Sequence, residues 1–294
     1  MQITSESVKV GHPDIVCDSI AANIIAAILD KELEIGMNVD NMPHCGIEIF
    51  LGKGLCIVGG EVATRIYVDV EKIVRDTVLS IGYGDYNLGL NGNSMGILNT
   101  IIEQSPDINI GTRADMGKYK EIGAGDQGII FGFACDETPE LLPLPYVLAT
   151  RVMRAFENCG DPIFAPDGKG QITVEYSDEG VPLRVATVLM SNAIDYRKVP
   201  EGSRASVEPQ ARHIAMDCLK EWIDEKTEFL FNFNFNRQTM RIPPTAAQDM
   251  VTTHGTVAGE YILEHTRQDV VNTRCAVGGG RPLKKNKIRL AFAL

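Results

Sequence analysis

Residues 44–64 read HCGIEIFLGKGLCIVGGEVAT, two alternating apolar runs on either side of a Gly-Lys-Gly turn. Residues 69–82, DVEKIVRDTVLSIG, follow with Val70, Ile73, Val74, Thr77, Val78 and Ile81 on one helical stripe. A period of two gives a hairpin one apolar face, and a period of 3.6 gives the helix an apolar side to lay on it. The spacing therefore predicts a strand-strand-helix unit.

The same order recurs downstream without residue similarity. GQITVEY (170–176) and LRVATVLM (183–190) flank the turn SDEGVP, and VEPQARHIAMDCLKEWIDE (207–225) follows as a helix with Pro209 near its start. Upstream, Pro13 to Leu33 repeats Cys17, Ile20, Ile24 and Ile28 at three- and four-residue steps, an amphipathic helix with proline at its first position. GIIFGFA (128–134) reads as a strand and PLPYVLATRVMRAFENCG (143–160) as a helix. Between these units lie a Gly/Asn-rich stretch, 82–96, and a loop, 105–127, of a length that is usually functional. Two units that each bury a sheet face under a helix predict an α+β protein of repeated two-layer β-β-α modules.

The chain has 294 residues, 44% hydrophobic and 23% charged, the composition of a folded globular protein with a sizeable core. Its 28 Lys plus Arg against 39 Asp plus Glu give a net charge of −11, a field that repels polyanions, so nucleic acid is not the expected partner. The dense basic cluster RPLKKNKIR (281–289) reads either as a polyanion patch or as a solvated face. Seven scattered cysteines without a CxxC pair predict free thiols in a reducing compartment. The opening MQITSESV lacks a signal pattern and Ile20–Leu29 is too short to span a bilayer, so the expected location is cytoplasmic and off the membrane.

Chemistry concentrates in three short stretches. In GHPDIVCD (11–18), Asp14 and Asp18 stand four apart at a helix start, a half-shell for a hard cation such as Mg²⁺ or simply acids that favour a helix N-terminus. His12 just outside that helix could donate to a phosphate, or cap the helix. GAGDQG (123–128) combines permissive glycines with Asp126 and Gln127 ahead of an apolar run, which also describes a tight loop. PDGKGQ (166–171) sets Asp167 and Lys169 at a strand mouth, where an ammonium could meet a phosphate, or forms a plain Asp-Gly turn. The chain has neither a GxxxxGK[ST] loop nor a GxGxxG, so a nucleotide site must be built otherwise.

Taken together, TSESVKVGHPD, IVGGE, EQSPDINIG, GAGDQGIIFGFACDETPELLPLP and PDGKGQITVEY stand in one order and spacing. In this the chain resembles the S-adenosylmethionine synthetases, or methionine adenosyltransferases, over roughly residues 3–235. The resemblance implies that methionine sulfur displaces triphosphate from ATP, with Mg²⁺ and K⁺ as cofactors and a homodimer whose site lies between subunits. It implies that His12 meets the triphosphate near the broken bond, that Asp14 ligates Mg²⁺ and that Glu48, thirteen residues before Glu61, holds K⁺. It further implies that Glu61, Gln104 and Asp126 serve methionine, that Asp167 and Lys169 contact ATP, and that residues 104–114 form a mobile loop over the site.

The chain departs from the family pattern in places. The lysine that normally follows GHPD is Ile15 here, and the family's GRF, GD…LTGRK and GGGAFSGKD…KVDRS segments are not intact. GGGRPLKKNKIRLAFA echoes the last of them, which would make Lys285 and Lys287 phosphate ligands, with Arg237 and Asp249 at the GRF and GD positions. Two β-β-α units are visible where the family has three, so the third module is expected to be missing or incomplete. The expected division is 1–10 with 137–236 as an N-terminal-type module, 11–105 with 237–294 as a central-type module, and 106–136 as a remnant of the third that includes the mobile loop. Two readings stay open: a divergent synthetase, and a non-catalytic regulatory or assembly subunit related to it.

Overall fold

In the computed structural model of the protein, the structure describes residues 1–38, 42–84, 88–112, 123–124, 128–195, 197–199 and 207–234. They form two two-layer α+β units.

The first unit is built on β1 (Gln2–Val8), β6 (Phe164–Tyr176), β7 (Pro182–Ile194) and β8 (Glu228–Asn234), in the order β1-β6-β7-β8. The first three run antiparallel, and β8 lies parallel to β7. Strict alternation in β6 buries Ile172 and Val174, which meet Val188 and Met190 of β7 under α4 (Leu144–Asn158) and α5 (Val207–Leu219). Phe156 of α4 stands edge-on to Phe164, ring centroids 5.0 Å apart. Helix α4 begins on Pro143, which offers no side-chain cap; Glu137 accepts instead from Leu144 N at 2.9 Å and from the Tyr176 hydroxyl at 2.9 Å. The ETPELLPLP stretch thus starts a helix and ties it to the sheet.

The second unit is the hairpin β2 (His44–Gly52) and β3 (Leu55–Ala63), with β4 (Gly96–Asn99) and β5 (Ile102–Glu103) both parallel to β3. Helices α1 (Pro13–Glu34) and α2 (Val70–Ser80) cover one face, burying Val16, Ile20, Ile24 and Ile28 with Cys56, Val58, Val74 and Val78. The four-residue stripe of α1 ends on Glu32, which is 1% exposed. Its carboxylate accepts from Thr64 Oγ1, Arg65 N and Arg65 Nε at 2.8, 2.7 and 2.9 Å, which satisfies a charge the core could not otherwise hold.

Three expectations are revised. The helix starting at Val207 ends at Leu219 instead of running through KEWIDE. There Asp224 accepts from Lys226 N, and Trp222 O accepts from Val185 N at 2.7 Å, turning the chain back so that β8 can lie beside β7. GIIFGFA joins no ladder among the described residues, and Ile129 and Ile130 are 82% and 96% exposed; an apolar run becomes a strand only where an edge accepts it. The stretch read as a loop over 105–127 contains a short helix, α3 (Pro106–Thr112), opened by Pro106 and Asp107, while 113–122 and 125–127 lie outside the described residues. Residues 237–294, assigned by sequence to the second module, also lie outside them. No helix among the described residues is long and apolar enough to cross a membrane.

Candidate functional site

The chain leaves the first sheet and enters the second through residues 9–12, and this crossover is pinned from both sides. Lys9 N donates to Gly168 O at 2.8 Å and Gly11 N to Pro166 O at 3.2 Å, which continues the β1–β6 pairing past its end. From the second unit, the buried hydroxyl of Tyr83 donates to Gly11 O at 2.5 Å. Gly11 is required by contact: a Cβ there would stand 2.4 Å from Pro166 Cβ and 2.5 Å from its carbonyl carbon.

This crossover sets His12 as the N-cap of α1, with its Nδ1 accepting from Asp14 N at 3.4 Å. The bond leaves Nε2–H as the donor of the ring. Pro13 and Asp14 open the helix, and the Asp14 side chain is 83% exposed. Among the described residues no three His, Cys, Asp or Glu side chains form a metal cage. The Asp14 Oδ2 lies 3.5 Å from His12 Nδ1, and this single exposed carboxylate fits the way Mg²⁺ is commonly held, by one or two carboxylates plus substrate phosphates and water.

Asp167 and Lys169 reach the same place along β6. Burial raises the Asp167 pKa, opposed by the nearby charges of His12 and Lys9 and by the Gly168 backbone N–H. Lys169 Nζ lies 2.6 Å from Glu6 Oε1 on β1, and this hydrogen bond, with a second from Gln171, lowers the Glu6 pKa against a smaller opposing effect of burial. His12 also acts on Glu6 electrostatically. The structure therefore brings His12, Asp14, Asp167 and Lys169 to one crossover, together with Glu6 and Lys9, which sequence reading passed over.

Glu48 and Glu61 stand elsewhere, on the sheet face turned away from α1 and α2. Gly46 pairs with Glu61 and Glu48 with Gly59, so the two carboxylates are diagonal neighbours on that face. Phe50, Leu98 and Ile102 share it at 64%, 51% and 60% exposure. Gln104 follows β5, its N–H on Val62 O at 2.9 Å. Its Oε1 lies 3.4 Å from His44 Nδ1, which in turn lies 2.9 Å from Thr112 Oγ1 of α3. Because the Thr112 hydroxyl donates back to α3 carbonyls, His44 Nδ1–H is the donor to both oxygens. His44 thus anchors Gln104 and α3 to the end of β2, a second role sequence reading missed.

No hydrogen bond among the described residues joins this pair of carboxylates to the His12 group. Asp126, Lys285 and Lys287 lie outside the described residues, as do Arg237 and Asp249.

Comparison with known families matches residues 1–106 to "S-adenosylmethionine synthetase, N-terminal domain" and residues 121–270 to "S-adenosylmethionine synthetase, central domain". An S-adenosylmethionine synthase of Myxococcus xanthus (strain DK1622) is 41% identical over 236 residues, covering 78% of this chain and 55% of that protein. One from Petrotoga mobilis is 39% identical over 248 residues, 79% of this chain and 60% of that protein. One from Pseudothermotoga lettingae is 41% identical over 201 residues, 64% of this chain and 49% of that protein. The chain spans about half the length of the curated relatives it matches. With both matched domains in order and the motif residues on the elements described, the chain belongs to the S-adenosylmethionine synthetase family.

Proposed function

We propose that this chain acts as a methionine adenosyltransferase, joining L-methionine to the adenosyl group of ATP. The methionine sulfur lone pair forms the new bond to the ribose 5′ carbon as the bond from that carbon to oxygen breaks. Triphosphate leaves with the electron pair, and water then splits it into phosphate and pyrophosphate. Sulfur needs no general base, so the protein's task is alignment and stabilisation of the departing charge. Alignment alone can contribute about 7–11 kcal/mol, and preorganised donors add to it.

The observation that carries this reading is the convergence of His12, Asp14, Asp167 and Lys169 on one crossover held rigid from two sides. In this reading His12 Nε2–H and the Lys169 ammonium meet the triphosphate, and Asp167 contacts ATP beside them. Mg²⁺ held at Asp14 would supply charge neutralisation for the phosphates. Glu48 would hold K⁺, with its other oxygens from outside this sheet. Glu61 and Gln104 would bind methionine with Asp126, and Lys285 and Lys287 would bind phosphate.

Among the described residues no hydrogen bond joins the two groups, and Glu48 and Glu61 share their face with exposed Phe50, Leu98 and Ile102. A second copy of this chain docked on that face supplies the missing half of each site, so the working unit is a homodimer. Sedimentation of wild-type chain and of Phe50→Asp tests this; a monomer at micromolar concentration that still turns over removes the dimer.

The decisive experiment incubates the full chain with ATP, methionine, Mg²⁺ and K⁺ and follows the sulfonium product together with phosphate and pyrophosphate. Turnover is expected. ATP or methionine bound without turnover would select a non-catalytic member of the family instead, and truncation after Gly280 separates the basic cluster's part from the rest.

A further inference from the structure

Lys9 is 2% exposed and is among the largest fully buried side chains of the described residues, although nothing assigned above uses it. It occupies the centre of the crossover. Its Nζ donates to Ala165 O at 2.6 Å, its N–H to Gly168 O at 2.8 Å, and its own carbonyl accepts from His12 N at 2.9 Å. One residue therefore holds both ends of the Pro166–Asp167 segment and the cap of α1. The stem passes where residue 168 has no side chain: a Cβ on Gly168 would stand 2.7 Å from Lys9 Cδ and 2.5 Å from Asn192 Oδ1.

The ammonium faces acids from two elements. Glu157, near the end of α4, acts on it most, followed by Cys159 just beyond that helix and Asp167 of β6; Asp167 in turn feels His12 and acts on Tyr83. Glu157 is itself fixed by accepting from Val10 N at 2.6 Å. A methionine would fill the same space without the cost of burying a cation. What only a charged lysine supplies is a cation among Glu157, Cys159 and Asp167, adding to the balance that His12 gives Asp167. We infer that Lys9 is a positioning residue of the nucleotide site: its buried charge neutralises Asp167, so that a polyanion can settle beside His12 and Lys169, and nucleotide affinity falls when that charge is lost.

Desolvation, opposed by the acids around it, lowers the Lys9 pKa to about 8. On losing its proton the crossover keeps Asp167 and Glu157 unbalanced and repels the triphosphate. The inference rests on the adenosyltransferase reading for its ligand.

The test measures affinity of the full chain for ATP, and for adenosine as a phosphate-free control, from pH 7 to 9, where ATP's own charge is nearly constant. Expected for wild type is a loss of ATP affinity of about tenfold across this range, with adenosine unaffected. Lys9→Met is expected to be weak for ATP already at pH 7 and flat thereafter. Glu157→Gln keeps the acceptor for Val10 but removes a charge that supports the lysine proton, so its midpoint moves to lower pH; it decides the matter if Lys9→Met does not fold. Cys159→Ser should retain the wild-type limb. A flat wild-type profile, a limb that survives in Lys9→Met, or one that disappears in Cys159→Ser overturns the inference while leaving ATP binding intact. A wild-type chain that binds neither ATP nor adenosine overturns the adenosyltransferase reading and this inference with it.

Discussion

Lys169 Nζ rests 2.6 Å from Glu6 Oε1, a cation held across the β1–β6 ladder by an acid that belongs to the neighbouring strand. Both side chains are partly exposed, at 41% and 48%, so the pair adds at most about 1 kcal/mol to the fold. Its use is orientation: the ammonium is kept at the crossover before any ligand arrives. Lys169→Ala is expected to raise the KM for ATP by about tenfold or more with little change in melting temperature. Glu6→Gln, which loosens the hold but keeps the cation, should shift it by only a few fold. Equal effects of the two changes would mean that the lysine serves the sheet and not the ligand.

Asp14 opens α1 with a carboxylate that is 83% exposed and meets the fold only at His12 Nδ1, 3.5 Å away, while the helix is capped by His12 itself. Asp14→Asn should therefore leave stability within about 0.5–1 kcal/mol, the loss of one acid at a helix N-terminus, and raise the Mg²⁺ concentration for half-maximal rate by about tenfold. An unchanged Mg²⁺ titration would free Asp14 from the metal.

Much of this arrangement is legible in the sequence because it is periodic. The stripe Cys17, Ile20, Ile24, Ile28 announces α1, although it is Val16 and not Cys17 that is buried; Pro13 announces its start, and alternation on either side of GKG announces the hairpin, whose register then puts Glu48 and Glu61 on one face. What is not legible depends on contacts distant in the chain. Lys9, between Val8 and Val10, looks like an ordinary outward-facing residue of a strand; it turns inward only because 165–168 closes over it. His44 looks like the start of a strand, and its meaning comes from Thr112, 68 residues away. GIIFGFA shows the converse, a strand-like pattern without an edge to join among the described residues.

Gly11 sits where two chains of the crossover touch. Gly11→Ala would put a methyl group 2.4 Å from Pro166 Cβ and 2.5 Å from its backbone, so main chain must move. The cost should reach about 1–3 kcal/mol, with a larger loss of ATP affinity than of methionine affinity because the displaced segment carries Asp167. Urea melts and the two KM values check this together; a variant as stable as wild type would mean that the contact is slack.

Holding Lys9 charged is unfavourable for the fold, and the sign of that effect can be measured. The lysine keeps its proton to about 8 in the folded chain against an ordinary value of 10.5, so between those limits the unfolded chain binds more protons. Stability contributed by this residue therefore rises with pH across that window and is lowest at neutral pH, where the penalty is on the order of 3 kcal/mol. Other groups titrate there too, since burial pushes the Cys56 thiol up to about 11, so the useful quantity is the difference between wild type and Lys9→Met. That difference should move in favour of wild type as pH rises from 8 to 10, even as ATP affinity of wild type falls over the lower part of the range. A difference that stays constant with pH would show that the lysine carries no penalty in the fold. Were Lys9 a purely structural peg, the stability difference would still rise with pH while ATP affinity stayed flat; a falling affinity beside a rising stability is the signature of a charge kept for the ligand at the expense of the fold.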